Sequence, residues 1–177
     1  VKFGNKTAVI DPFAGRELVR DTPPQLTEAQ QNCVAAINKS IDAKHHQDFL
    51  MYGITGSGKT EVYIEAISRQ IKLGFQCLVL VPEIGLTPQT FDRFNKRFKC
   101  PIIMYHSNLS AKQKLMAWSQ ACDESPLIVI GTRSSVFLPM PSLSLIVIDE
   151  EHDSSYKQQD GFRYSARDFA VMRAHNE

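Results

Sequence analysis

The sequence predicts an α/β fold, a mostly parallel sheet with helices on both faces. Three observations carry that prediction. Apolar runs of strand length at 77–81, 127–130 and 145–148 have no polar face, as strands in the middle of a covered parallel sheet require. Helical periods alternate with these runs along the chain. Residues 53–60 read Gly-Ile-Thr-Gly-Ser-Gly-Lys-Thr and fit G-x-x-x-x-G-K-[ST], the phosphate-binding loop that joins a strand to a helix.

The elements follow in order. Residues 1–25 lack a period and are punctuated by Asp11-Pro12, Gly15 and Pro23-Pro24, so they read as a linker or short hairpin. Thr27 caps a first helix whose buried stripe is expected at Ala29, Cys33, Ala36, Ile37 and Ile41. Residues 48–52 read as a short buried strand, and 61–73 as a helix with Val62, Ile64, Ala66, Ile67 and Ile71 inward and Gly74 as its stop. The strand at 77–81 ends at Pro82. Thr87 and Pro88 then open a helix as cap and first residue. A strand at 101–105 precedes a helix begun by the capping box of Ser110 and Gln113. After the strands at 127–130 and 145–148, a last helix begins at Ser165 with Asp168 in the box position.

Composition sets bounds. The 177 residues suit one domain with a real core, and 43% hydrophobic with 22% charged residues is ordinary for a soluble globular protein. A net charge of +1 gives no bulk attraction to nucleic acid, so any such contact must come from local patches. Cys33, Cys77, Cys100 and Cys122 are spaced for neither zinc nor a disulfide framework and are expected to be buried thiols in a reducing compartment. No apolar run spans a bilayer and no signal pattern opens the chain, so a cytoplasmic location and no membrane partner are expected. Val1 at the start and an end directly after a helix suggest a piece of a longer protein.

The chemistry is carried by two stretches. In the first, Gly53, Ile54, Thr55, Gly56, Ser57 and Gly58 bend so that backbone N–H groups point at a polyphosphate. Lys59 sets a charge on the outer phosphates and Thr60 a hydroxyl on magnesium. In the second, the 145–148 strand runs into Asp149-Glu150-Glu151-His152. Ligands sit beyond the carboxyl ends of such strands, so Asp149 is expected to face the same magnesium and Glu150 to orient or deprotonate the attacking water. The plainer reading of the second stretch is a solvated acidic loop. Arg133, Arg163 and Arg167 all stand in the wrong context for an arginine finger.

With the acidic box in place, the chain resembles the superfamily 2 DExH helicases. Reading outward, 55–63, 81–89, 131–137 and 149–158 together resemble the bacterial replication-restart helicases of the primosomal protein N′ (PriA) family, almost continuously over 26–177. The resemblance implies the first RecA-like, ATP-binding lobe of a DNA helicase. Its cofactors would be ATP and magnesium, with zinc held elsewhere in the full-length family protein. It implies single-stranded and forked DNA as ligands, and primosomal proteins and single-strand-binding protein as partners. The second lobe would supply the arginine finger, so the isolated lobe is expected to be weakly active or inactive.

The same resemblance implies that Gln30 recognises adenine, that Thr87, Gln89, Thr132 and Arg133 touch DNA phosphates, and that His152 couples the nucleotide site to the other lobe. Thr87 can equally be a helix cap, and His152 a residue satisfying loop backbone. At 156–164, Tyr156, Phe162 and Tyr164 interleave with Lys157 and Arg163, which suits base stacking and phosphate contact. In the family this stretch resembles an aromatic-rich loop that senses DNA. The alternative is a surface loop whose aromatics tuck against the last helix. His106-Ser107 matches a family histidine-serine pair. Arg93, Lys96, Arg97 and Lys99 form a basic helix end, either a charged face or a channel lining. Two other functions remain open here: a P-loop ATPase or kinase-like module not acting on DNA, and a non-enzymatic interaction module.

Overall fold

The computed structural model of the chain describes residues 22–54 and 56–176. Four parallel strands form the sheet: β1 (Gln76–Leu80), β2 (Ile102–Tyr105), β3 (Leu127–Gly131) and β4 (Leu143–Ile148). Their spatial order is β2-β3-β1-β4. Leu80 pairs with Gly131 on one side and Ile148 on the other, so the three strands end level. The ladder continues past them: the Val81 N–H donates to the Gly131 carbonyl at 3.0 Å and the Asp149 N–H to the Leu80 carbonyl at 2.9 Å. This row of strand ends carries the site.

Helices cover both faces, as the apolar runs require. On one face α2 (Lys59–Lys72) and α3 (Pro88–Arg97) bury Tyr63, Ile64, Ile67, Phe91 and Phe94 against Cys77, Val79, Ile128 and Ile130. On the other, α4 (Ala111–Ala121) and α5 (Ala166–Asn176) bury Ala117, Ala121, Ala166 and Ala170 against Leu78, Leu80, Ile103 and Val129. Successive residues of β1 thus point to opposite cores. Burying a Val, Leu or Ile side chain contributes about 1.5–3 kcal/mol, so the central strands dominate stability. α1 (Glu28–Asp42) packs on α2 through Val34 and Ile37 against Val62 and Ala66.

The expected caps form. Thr27 with Gln30 and Ser110 with Gln113 make complete capping boxes, and Thr87 accepts from the Thr90 N–H ahead of Pro88. Ser165 accepts from the Asp168 N–H at 3.3 Å. A small antiparallel pair, β5 (Lys157–Gln158) and β6 (Tyr164–Ser165), closes the aromatic stretch, which sequence periodicity had not marked.

Three expectations are corrected. Residues 48–52 form no strand: among the described residues they join no sheet, Leu50 is 79% exposed and Tyr52 fully so, and Met51 alone reaches the core. Their composition suits a strand, but a strand needs a neighbouring edge. The stripe of α1 is Val34, Ile37 and Ser40, because α2 meets the helix one step round from the face expected; Ala29, Cys33 and Ala36 face out. Of the cysteines, Cys77 is buried and Cys100 half-buried, while Cys33 and Cys122 are exposed. Burial pushes the Cys100 thiol up to about 11. The linker expected over 1–25 lies, as far as residue 21, outside the described residues.

One polar residue organises the amino ends of the strands. Gln76, fully buried, donates to the carbonyls of Ala121 and Asp123 and accepts from the Ser142 N–H. It stitches α4 and the start of β4 to β1.

Candidate active site

The phosphate loop leads into α2 at Gly58, whose φ of +81° lies in the left-handed region that glycine alone enters freely. A Cβ there would collide with the Gln30 amide nitrogen. At Gly53 it would meet Ser57 Oγ at 2.7 Å. Gly58 offers no side-chain cap; the Glu61 N–H turns back to the Gly58 carbonyl at 3.0 Å, while among the described residues the Lys59 and Thr60 N–H groups are left for an acceptor outside the helix. Lys59 Nζ lies over this turn and donates to the Gly53 and Ile54 carbonyls at 2.7 and 3.1 Å. A cradle a side chain would fill, open amide donors and one ammonium are the donor set a polyphosphate needs, and the residues fit that group. Thr55 lies outside the described residues.

Thr60, Asp149, Glu150, His152 and Asp153 line one cleft of about 610 Å³ with Tyr63, Pro82, Gln89 and Arg93. The Tyr63 hydroxyl, on the helix that Thr60 helps to open, reaches across to the acidic box: it donates to Asp149 Oδ2 at 3.1 Å. Burial, then the Asp149 charge, raises the Tyr63 phenol far above its ordinary value, so it stays a donor. A hydroxyl and a carboxylate lining one cleft are oxygen donors that fit a hard divalent cation. Glu150 is exposed at φ +48°, left-handed for a residue with a Cβ, and its carboxylate lies 3.7 Å from His152 Nε2.

The other expected residues are placed as follows. Gln30 lies against the loop, donating to the Ser57 carbonyl at 3.1 Å while its carbonyl oxygen accepts from the Thr27 N–H. Thr87 caps α3, and Gln89 in its first turn lines the cleft. Thr132 is only 4% exposed and its N–H is spent on the Tyr105 carbonyl, so it is closed to a phosphate. Arg133 donates to the Ser155 and Lys157 carbonyls and lies 3.9 Å from Glu83.

The aromatic stretch divides. Tyr156 was expected as an exposed ring and is 2% exposed, its hydroxyl donating to the Asp149 carbonyl at 2.6 Å. It cannot stack on a base. Phe162 is 74% exposed and stacks on Tyr164, which packs edge-on against Phe137 and Phe169. Arg163 between them is exposed. The reading in which the aromatics tuck against the last helix holds for Tyr164, while Phe162 and Arg163 stay exposed.

Sequence reasoning gave no role to Tyr63 or Glu61. Tyr63 stands three residues after Thr60, a spacing that shares a helix face and is a readable signal. Glu61 takes ion pairs from Arg93 at 2.7 Å and Arg97 at 3.1 Å, which turns half of the basic end of α3 into a tie between α2 and α3.

The family model for DEAD/DEAH box helicases matches residues 27–176. The chain belongs to the DEAD/DEAH box helicase family. It is 40% identical over 164 residues to the replication restart protein PriA of Bacillus subtilis, covering 93% of this chain and 20% of that protein. To PriA of Haemophilus influenzae it is 55% identical over 126 residues, covering 71% of this chain and 17% of that protein. The chain therefore spans only a small part of the length of these relatives. RecG bound to a three-way DNA junction superposes with a TM-score of 0.67 at 23% identity, over 88% of this chain and 24% of that one. The Type ISP restriction-modification enzyme LlaGI gives 0.55 at 21% identity, over 75% and 16%. At such identities the likeness speaks for the fold alone. In this DEAD/DEAH box lobe the acidic box reads Asp149-Glu150-Glu151-His152, at the tip of edge strand β4.

Proposed function

We propose that residues 26–177 are the ATP-binding lobe of an ATP-dependent DNA helicase that acts in replication restart, with the whole protein reloading the replication machinery at stalled forks. The observation that carries this reading is the cleft that Thr60 of the phosphate loop and Asp149 of the acidic box line together, with the Tyr63 hydroxyl of α2 donating to Asp149 across it. Magnesium ATP, when bound, supplies the reactive phosphoanhydride and neutralises its oxygens. The residues divide the remaining work. The 53–58 backbone and the start of α2 bind phosphate oxygens, and Lys59 holds the outer ones. Thr60 and Asp149 hold the metal, and Gln30 reads the base. Glu150, one residue past the metal carboxylate, takes the proton of the attacking water. His152 couples the site to a second lobe. No residue among those described supplies the finger, so turnover by this lobe alone is slow.

On the DNA side, Thr87, Gln89, Arg133, Phe162, Arg163 and Tyr164 are the contacts proposed, with single-stranded and forked DNA as ligands. Primosomal proteins and single-strand-binding protein are the proposed partners of the whole protein, in the cytoplasm. Among the described residues no helix is long and apolar enough to cross a membrane.

Single-strand binding tests this reading. Fluorescence anisotropy against salt should show binding that Phe162→Ala weakens roughly 5- to 100-fold, the worth of one stacked base. Arg163→Ala should flatten the slope of log affinity against log salt by about 0.7, one phosphate contact on a single strand. Affinity indifferent to salt and to both substitutions would point to an ATPase that does not act on DNA.

A further inference from the structure

The backbone at the tip of β4 is held from both faces of the sheet. Tyr63 belongs to the core under α2 and α3, and Tyr156 to the opposite core under α4 and α5. Their hydroxyls converge on one residue: Tyr63 donates to Asp149 Oδ2 at 3.1 Å and Tyr156 to the Asp149 carbonyl at 2.6 Å. The next residue, Glu150, has the left-handed φ of +48° that a side chain disfavours, so something must hold it there. Two local bonds help: the Glu150 N–H donates to Asp149 Oδ1 at 3.1 Å and the Asp153 N–H to the Glu150 carbonyl at 2.9 Å. The Asp149 carbonyl is different, because it belongs to the peptide that sets Glu150's φ. Tyr156 pins that peptide. Tyr156 is itself fixed, since Arg133 holds the carbonyls of Ser155 and Lys157 on either side of it.

We infer that Tyr63 and Tyr156 are positioning residues for hydrolysis, a pair of phenols that clamp Asp149 by its side chain and its main chain and thereby aim Glu150. The inference rests on the reading of the cleft as a magnesium-ATP site. The two arms have separable duties. Tyr63 holds the Asp149 carboxylate in the cleft that Thr60 also lines, so its loss falls on metal-dependent binding. Tyr156 fixes the peptide that orients Glu150, so its loss falls on turnover. A phenylalanine fills either space and removes only the hydroxyl, which separates positioning from packing.

The test uses the full-length protein, with DNA-stimulated ATPase rates, titration of a fluorescent ATP analogue with and without magnesium, and thermal melts. Tyr156→Phe should lower kcat roughly 10- to 100-fold, the scale of a misaligned reacting group, while analogue affinity stays within about twofold. Tyr63→Phe should lose roughly tenfold of the affinity that magnesium adds and leave magnesium-free binding unchanged. The clamp is overturned if Tyr156→Phe keeps its kcat, or if kcat and affinity fall together in step with a lowered melting temperature. Tyr63→Phe probes the other core, so a Tyr156 variant that folds poorly still leaves one arm to decide. Lys59→Ala in the same titration separates the two readings. If it binds the magnesium-analogue complex normally, the site assignment fails. If it does not bind while Tyr63→Phe and Tyr156→Phe behave as wild type, the clamp alone fails.

Discussion

Lys59→Ala is expected to weaken binding of magnesium ATP roughly 100-fold, about 3 kcal/mol. The ammonium stands over the open first turn of α2, held at 2.7 Å from the Gly53 carbonyl and 3.1 Å from that of Ile54. It is the one full positive charge the loop itself presents, beside the partial charge of the helix end. A triphosphate entering the cradle exchanges those two carbonyls for anionic oxygens, a charge-assisted contact far stronger than the one it replaces. Alanine removes the charge and leaves the carbonyls facing the ligand, so both changes act in the same direction. Lys72→Ala is the matched control. It removes the same charge from the far end of α2, roughly 20 Å away at 1.5 Å per residue, beyond the Debye length at physiological salt. Calorimetric titration checks both. Equal losses in the two variants would mean that net charge, not the loop, governs binding.

Glu150→Gln is expected to leave that affinity nearly intact and to lower turnover roughly a hundred- to ten-thousand-fold, the range of a lost general base. The amide keeps the shape of the side chain and cannot accept the proton. Its exposed carboxylate projects into the cleft one residue beyond Asp149, whose own carboxylate is engaged by Tyr63 and by the Glu150 N–H. The two acids thus have different environments and different duties. A steady-state assay with a parallel binding titration separates them. A variant that loses affinity and rate equally would place Glu150 among the metal ligands instead.

What could be read from the sequence follows from how locally each feature is written. β1 and β3 are buried on both faces, and that condition leaves an unbroken apolar run with no competing reading. The caps at Thr27, Thr87 and Ser110 are contacts over three residues, so their partners stand beside them in the chain. Features that depend on distant partners were hidden. Residues 48–52 carry strand-forming side chains, yet whether an edge waits beside them is decided elsewhere. The face of α1 that is buried is chosen by where α2 lies. Tyr156 looked like a surface aromatic among polar neighbours; it joins a core cluster drawn from distant elements, and its hydroxyl acceptor is a backbone carbonyl that no side-chain pattern reports. Arg93 and Arg97 likewise looked like a free basic face until Glu61, on another helix, took them both. The site's two halves were legible as motifs. Their meeting through Tyr63 was legible only as the periodicity of one helix.

A crystal structure of the chain with magnesium and a non-hydrolysable ATP analogue bears most directly on the central claim. The account predicts a metal held jointly by the Thr60 hydroxyl and the Asp149 carboxylate. Lys59 should have left the Gly53 and Ile54 carbonyls for the outer phosphates, and Glu150 should face the terminal one. A nucleotide bound away from the first turn of α2, or a metal that touches Asp149 but not Thr60, would contradict it.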